Sequence, residues 1–162
     1  MSLQKSIQNG EGKTIEFKVE LPNSNTLAKT IIAFSNTGGG KLIIGVNDQG
    51  EIIGLEHDVN IFELKDKVAS IIYETCYPTV LPDIYTTTID DHLLLIIEVY
   101  RGNLLPYYLK SKGKSEGVYI RVGATNRKAS YENILELERQ RMNISFDQEA
   151  NREVDLDSLD IT

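Results

Sequence analysis

LPNSNTLAKTIIAFSNTGGGKLIIGV, residues 21–46, changes period partway along, and that change decides the fold. Leu27, Ile31 and Phe34 recur at helical spacing, Ser24 or Asn25 stands where a cap can accept a first-turn amide, and Gly38-Gly39-Gly40 ends the helix. KLIIGV, residues 41–46, then reads as a buried strand. A helix, a glycine stop and a strand in one short stretch predict a chain in which helices and strands are interleaved.

Working outward, GEGKTIEFKVE (10–20) is a second strand. Its alternation puts Ile15, Phe17 and Val19 on one face and Glu16, Lys18 and Glu20 on the other. On the other side, Asn47-Asp48-Gln49-Gly50 predicts a tight turn into a short partner strand at Ile52 and Ile53, a hairpin. Asn60, with Glu63 three residues on, resembles a capping box opening a helix whose Ile61, Leu64, Val68, Ile71 and Ile72 form one stripe, and that helix stops before Pro78. DIYTTTI (83–89) and LLLIIEV (93–99) are strands joined at Asp90-Asp91-His92. The second is apolar on both faces, as a central strand covered on both sides should be. GVYIRVG (117–123) is a further strand, and Ser130 caps a last helix carrying Tyr131, Ile134, Leu137, Glu138 and Arg141. The periodic pattern fades beyond Asn143, so residues 1–143 read as one domain. Residues 144–162 read as an acidic tail or linker leading to a further segment.

Bulk composition sets outer limits. The chain has 162 residues, 41% of them apolar and 25% charged, ordinary values for one domain with a real core. Its longest apolar run, Leu93 to Ile97, is far too short to span a bilayer, and MSLQKSIQNGEGK lacks the apolar core of a secretory signal. The single cysteine, Cys76, has no internal disulfide partner, and a reducing cytoplasm is the expected location.

The net charge of −7 is unevenly spread. Asp147 to Thr162 holds six acids against Arg152, whereas Arg101 to Lys128 holds seven bases against Glu116. Tyr100, at the edge of the basic stretch, and Tyr107, Tyr108 and Tyr119 within it are interleaved with Lys and Arg, the mixture that holds phosphates and stacks bases. A solvated loop plus core tyrosines would look the same.

Two motifs are ambiguous by spacing alone. Gly38-Gly39-Gly40-Lys41 invites a phosphate loop, but it leaves a helix and enters a strand, and Leu42 rather than Ser or Thr follows the lysine. The order fits neither the Walker motif nor the dinucleotide fingerprint. A helix stop with a close backbone approach is the plainer reading, and ATP or another nucleotide is the weaker alternative. Glu11, Glu16 and Asp48 could converge on one rim if their strands share a sheet. Three close carboxylates need a cation, and hard oxygen donors suit Mg²⁺ or Mn²⁺. Spacing alone favours three solvated surface acids. His57 and His92 lie in predicted turns and Cys76 has no CxxC companion, so nothing in the sequence indicates zinc.

Taken in order, EGKTIEFK, IIAFSNTGGGKLIIGVNDQGEIIG, YPTVLPDI, EVYRGNLLPYYL and VYIRVGATNRKAS resemble the Schlafen AlbA-like domain, over about residues 8 to 140. The resemblance implies an α/β (α+β) domain with a mixed, curved β-sheet and packed helices. It is a fold found in prokaryotic transcriptional regulators described as DNA-binding. In the animal Schlafen branch a related domain cleaves structured RNA with two glutamates and an aspartate, and those positions correspond to Glu11, Glu16 and Asp48. The resemblance therefore implies two functions. One is a nucleic-acid-binding module for DNA or structured RNA, holding phosphates with Lys18, Lys110, Lys112, Lys114, Arg121, Arg127 and Lys128. The other is a Mg²⁺- or Mn²⁺-dependent endoribonuclease using the three acids, which would need a homodimer to imitate the paired lobes of the animal enzymes. An interaction or nucleotide-sensing domain is a third reading.

Overall fold

The computed structural model describes residues 2–144. Along the chain it places α1 (Leu3–Gln8), β1 (Ile15–Lys18), α2 (Ser24–Asn36), β2 (Gly40–Ile44), α3 (Ile61–Thr75), β3 (Cys76–Tyr77), β4 (Asp83–Ile89) and β5 (His92–Val99). There follow β6 (Tyr108–Leu109), α4 (Gly113–Glu116), β7 (Tyr119–Val122) and β8 (Thr125–Lys128), and then a helical stretch, 131–144, here α5. The acidic tail anticipated from Asp147 onward lies outside the described residues.

The main sheet runs β1-β2-β5-β4, with β1 parallel to β2 and the other pairs antiparallel, so it is mixed and the fold is α+β. The parallel pair follows from its connection: a helix between two strands can return the chain to the same end of the sheet, which a tight turn cannot. Alternation then sorts the side chains. Leu42, Ile44, Leu95 and Ile97 join Leu27, Ile31 and Phe34 of α2 and Val68 and Ile72 of α3 in one core. Phe17, Ile43, Leu94 and Ile96 join Ile7 of α1 in a second, smaller one. Both faces of β5 are therefore buried, which is why the run 93–97 has no polar face.

Several local expectations change in detail. The cap of α2 is Asn23, whose side chain accepts from the Thr26 amide at 2.9 Å, one residue ahead of the expected Ser24 or Asn25. Asn60 and Ser130 do cap their helices, accepting from the amides of Glu63 and Asn133, and Asn133 accepts in return from the Ser130 amide. The hairpin after β2 shrinks to a single bridge, Val46 to Ile52, because Asn47 and the turn after it take up the neighbouring bonds. Helices α1 and α4, the small pair β3–β6 and strand β8 are additions. Each is short or polar, with no period long enough to read.

The glycine run is a helix stop with a close approach. Gly39 has φ +73°, and a Cβ there would lie 2.7 Å from the Val99 carbonyl oxygen. At Gly40 a Cβ would lie 2.6 Å from the Phe34 ring. Next to it Asn36, buried at the end of α2, accepts from the Tyr107 amide and donates to the carbonyls of Tyr107 and Tyr119. One amide side chain thus fastens the helix to the segment carrying β6 and β7.

Candidate nucleic-acid interface

Glu16 faces the helices, where burial of a carboxylate demands a partner. It has one. The Arg121 guanidinium, with no exposed surface, donates from Nη1 to Glu16 Oε1 at 2.7 Å, and the Thr30 hydroxyl donates to Glu16 Oε2 at 3.0 Å. Arg121 Nη1 also donates to Asn126 Oδ1, while Nε and Nη2 reach the carbonyls of Gly12 and Ile15. All five guanidinium donors are taken, and the group lies over the Phe34 ring. Arg121, expected to hold a phosphate, is instead an internal brace that holds the 10–14 loop against β7; it has neither the exposure nor a spare donor for a ligand.

Glu11 does something different. Its Oε2 accepts from the Phe17 amide at 3.0 Å, so the carboxylate covers a backbone donor on the outer edge of β1, the edge strand of the sheet. Asp48 is exposed in the turn beyond β2. Asp48 follows β2 by four residues, in the turn beyond the end of the pair at which Lys18 lies opposite Ile44. Among the described residues no three His, Cys, Asp or Glu side chains form a group that could hold a metal ion. As arranged, the three acids do not fit a shared Mg²⁺ or Mn²⁺.

The basic stretch is brought together more fully. Backbone bonds lace β3 to β6 (Tyr77 opposite Tyr108), β6 to Val118 just ahead of β7 (the Tyr108–Val118 bridge) and β7 to β8 (Tyr119 opposite Lys128). The aromatics and bases fall into two groups, one around α3, β3 and β6 and one around α2, β7 and β8. Tyr77 and Tyr108 have ring centroids 5.5 Å apart, Lys110 lies over the exposed Tyr73 ring at 5.5 Å, and Lys29, which had not been anticipated, lies over Tyr119 at 5.1 Å. A helical spacing argument could not flag Lys29, because its role depends on β7 packing against α2.

Lys110, Lys112, Lys114, Arg127 and Lys128 are all exposed. Two are paired at the surface: Lys114 with Glu138 at 3.1 Å, and Lys128 with Glu116. The hydrogen bond from Lys128 holds the Glu116 carboxyl below the usual range and raises Lys128 in turn. Exposed pairs of this kind contribute little stability, so a phosphate can replace the carboxylate at small cost. Lys112 makes no ion pair among the described residues, and Lys110 donates to the Tyr73 carbonyl. Lys18 is half-buried at the end of β1, on a different element from the strip.

No helix of the described residues is long and apolar enough to cross a membrane. The family model described as Schlafen, AlbA_2 matches residues 11–130. No curated protein matches the chain. Among solved structures, the DIP2311 protein of Corynebacterium diphtheriae is similar, with TM-score 0.56 and 23% identity over 78% of this chain, which spans only 24% of that protein. Also similar is the N-terminal domain of a protein from Nitrosomonas europaea named for its relation to the ATP-dependent DNA helicase RecG. Its TM-score is 0.56 and its identity 22%, over 80% of this chain and 95% of that domain. At these identities the likeness is one of fold.

Proposed function

The chain belongs to the Schlafen, AlbA_2 family, and from that premise we propose that it is a nucleic-acid-binding module. The carrying observation is that tyrosine rings and lysines lie together in two places: Lys110 over Tyr73 and Tyr77 against Tyr108 around α3, β3 and β6, and Lys29 over Tyr119, opposite Lys128, around α2, β7 and β8. Lysines supply attraction to phosphate without base preference, and exposed tyrosine rings supply stacking faces for unpaired bases. A surface built of both suits a strand with unpaired segments, such as the loop of an RNA hairpin or the single strand beside a duplex. A partner in transcriptional regulation fits this reading, as does the DNA-helicase relation carried in the name of the similar Nitrosomonas domain.

The test is an affinity measurement on single-stranded DNA, duplex DNA and a hairpin RNA at low salt. Substituting Lys110→Ala, Lys112→Ala and Lys128→Ala together should weaken all three ligands alike. Tyr77→Ala should weaken the single strand and the hairpin by about 1–3 kcal/mol and leave the duplex little changed. Absence of binding to every ligand at low salt removes the proposal. Metal-dependent cleavage of the hairpin that disappears in Asp48→Asn would instead assign the acids a catalytic arrangement different from the one described above.

A further inference from the structure

The two edges of the main sheet are finished differently. On β1 the outward backbone groups are claimed: the Phe17 amide donates to the Glu11 carboxylate at 3.0 Å, and the Ile15 carbonyl accepts from the Gly12 amide and from Arg121. On β4 they are open. Asp90 and Asp91 both have positive φ, 50° and 62°, so the β4–β5 hairpin closes through a two-residue type I′ turn on the hydrogen-bonded pair Ile89–His92. Bonded pairs recur at every second residue, so Thr87, Tyr85 and Asp83 also bond to β5. Ile84, Thr86 and Thr88 turn their N–H and C=O groups outward, where no strand, loop or side chain among the described residues meets them. The strand has none of the usual guards of a free edge: its register runs from Asp83 to Ile89 without a bulge, and it contains neither Lys nor Pro.

Beside this edge a groove of about 410 Å³ lies between α3 and the entry to β4, walled by Ala69, Tyr73 and Glu74 on one side and by Leu81, Pro82 and Ile84 on the other. Leu81 is 83% exposed, the highest value among the large apolar side chains of the described residues. Ile84 packs against the core shared with α2 and α3, so alternation puts Thr86 and Thr88 on the same face as the groove. A strand added to β4 would therefore aim every second side chain toward α3, and the one opposite Ile84 toward the groove. Free main-chain groups in a row, with an apolar pocket at alternate-residue spacing, are what holds an extended segment: the backbone bonds supply affinity and the pocket supplies selectivity.

Charge selects the occupant. From Val80 to Asp91 the chain carries Asp83, Asp90 and Asp91 and neither Lys nor Arg, and Glu74 adds an acid on the groove wall. A second copy of this chain is a poor match, because pairing centred on Thr86 would set Asp83 opposite Ile89 of the other copy and beside its Asp90, acid near acid at both ends. We propose that the β4 edge binds an extended peptide, antiparallel to β4, with apolar residues at alternate positions and Lys or Arg at its two ends. The terminal bases face Asp83 at one end and Asp90 with Asp91 at the other, the central residues exchange backbone bonds with Ile84, Thr86 and Thr88, and one apolar side chain fills the groove. The site shares only Tyr73 with the tyrosine–lysine groups, and it stands or falls independently of nucleic-acid binding.

The probe is an end-blocked peptide, Lys-Val-Thr-Val-Thr-Leu-Arg, titrated into the full chain and followed by fluorescence anisotropy and amide chemical shifts. Aligned antiparallel, its two valines and its leucine fall opposite Thr88, Thr86 and Ile84, and its arginine opposite Asp83. Binding should saturate, with the amides of Ile84, Thr86 and Thr88 moving most. N-methylation of the second valine removes a donor aimed at β4 and should weaken binding at least about tenfold, whereas N-methylation of the threonine after it, whose amide points away, should change binding less than about threefold. Replacing the two terminal bases by Glu should weaken binding at least about tenfold, and Asp83→Asn about threefold. Thr86→Pro, which deletes an outward N–H at a position where an edge strand tolerates proline, should abolish binding. Asp83→Asn and the methylated peptides report even where Thr86→Pro fails to fold. No saturable binding, equal losses from the two methylations, tighter binding of the Glu-ended peptide, or shifts that spare β4 would overturn the proposal. So would sedimentation of the chain alone as a dimer that Thr86→Pro dissociates, which would assign the edge to a second copy.

Discussion

Arg121 and Glu16 illustrate what single residues decide. Each is charged, each sits in a segment that invites a ligand-binding reading, and each is used up inside the protein. A buried pair of this kind adds little net stability over an apolar pair, but removing one partner strands the other charge in the core. Arg121→Met should therefore destabilise by about 3–5 kcal/mol in urea unfolding. Replacing both residues, Arg121→Met with Glu16→Leu, should recover much of that loss, and an Arg121→Met chain as stable as the parent would contradict the brace. Cys76 is a second residue-scale case. Its thiol is buried, and desolvation pushes it up to about 11 from 9.0, against smaller lowering effects from Thr75 and Lys110. Native protein should resist iodoacetamide at pH 8 and react fully in denaturant. The sign of the linkage follows: the folded thiol keeps its proton longer than the unfolded one, so this contribution is intact below pH 9 and is lost as pH rises towards 11.

At the scale of elements, the glycine run repays attention to which glycine does what. Gly39 combines a positive φ with a backbone carbonyl in the place of its Cβ, whereas Gly123 has φ +58° with nothing within 4 Å. Gly123→Ala should cost about 1–2 kcal/mol, the penalty of the left-handed conformation alone. Gly39→Ala should cost clearly more, because β2 and the end of β5 must also move apart, and thermal unfolding of the two variants checks the order. The long elements were legible because their periodicity is long: α2, α3, β4, β5 and α5 all lie where the sequence places them, two of them with the expected caps. What escaped was short. Six residues of α1, two each of β3 and β6 and the polar TNRK of β8 contain too few positions for either a 3.6 or a 2.0 repeat to stand out.

Across the whole molecule, the bases between Lys110 and Lys128 do not act as one block. Arg121 points inward, Lys114 and Lys128 meet carboxylates, and Lys110 lies over the Tyr73 ring of α3. Binding through such a surface releases counterions, so the logarithm of affinity should fall linearly with the logarithm of salt concentration. Each lysine removed from the strip should reduce that slope by about 0.7 for single strands. Arg121 should not belong to the series. A slope that is flat in the parent chain, or unchanged after three lysines are removed, would rule out a phosphate-dominated contact.

The sequence by itself determined the helices, the strands, the central apolar run and the family, because these depend on local period and on motifs in a fixed order. Only the tertiary structure decided which charged groups are available. Availability is set by what packs against a side chain, and the partners that claim Glu16 and Arg121 come from segments many residues away along the chain.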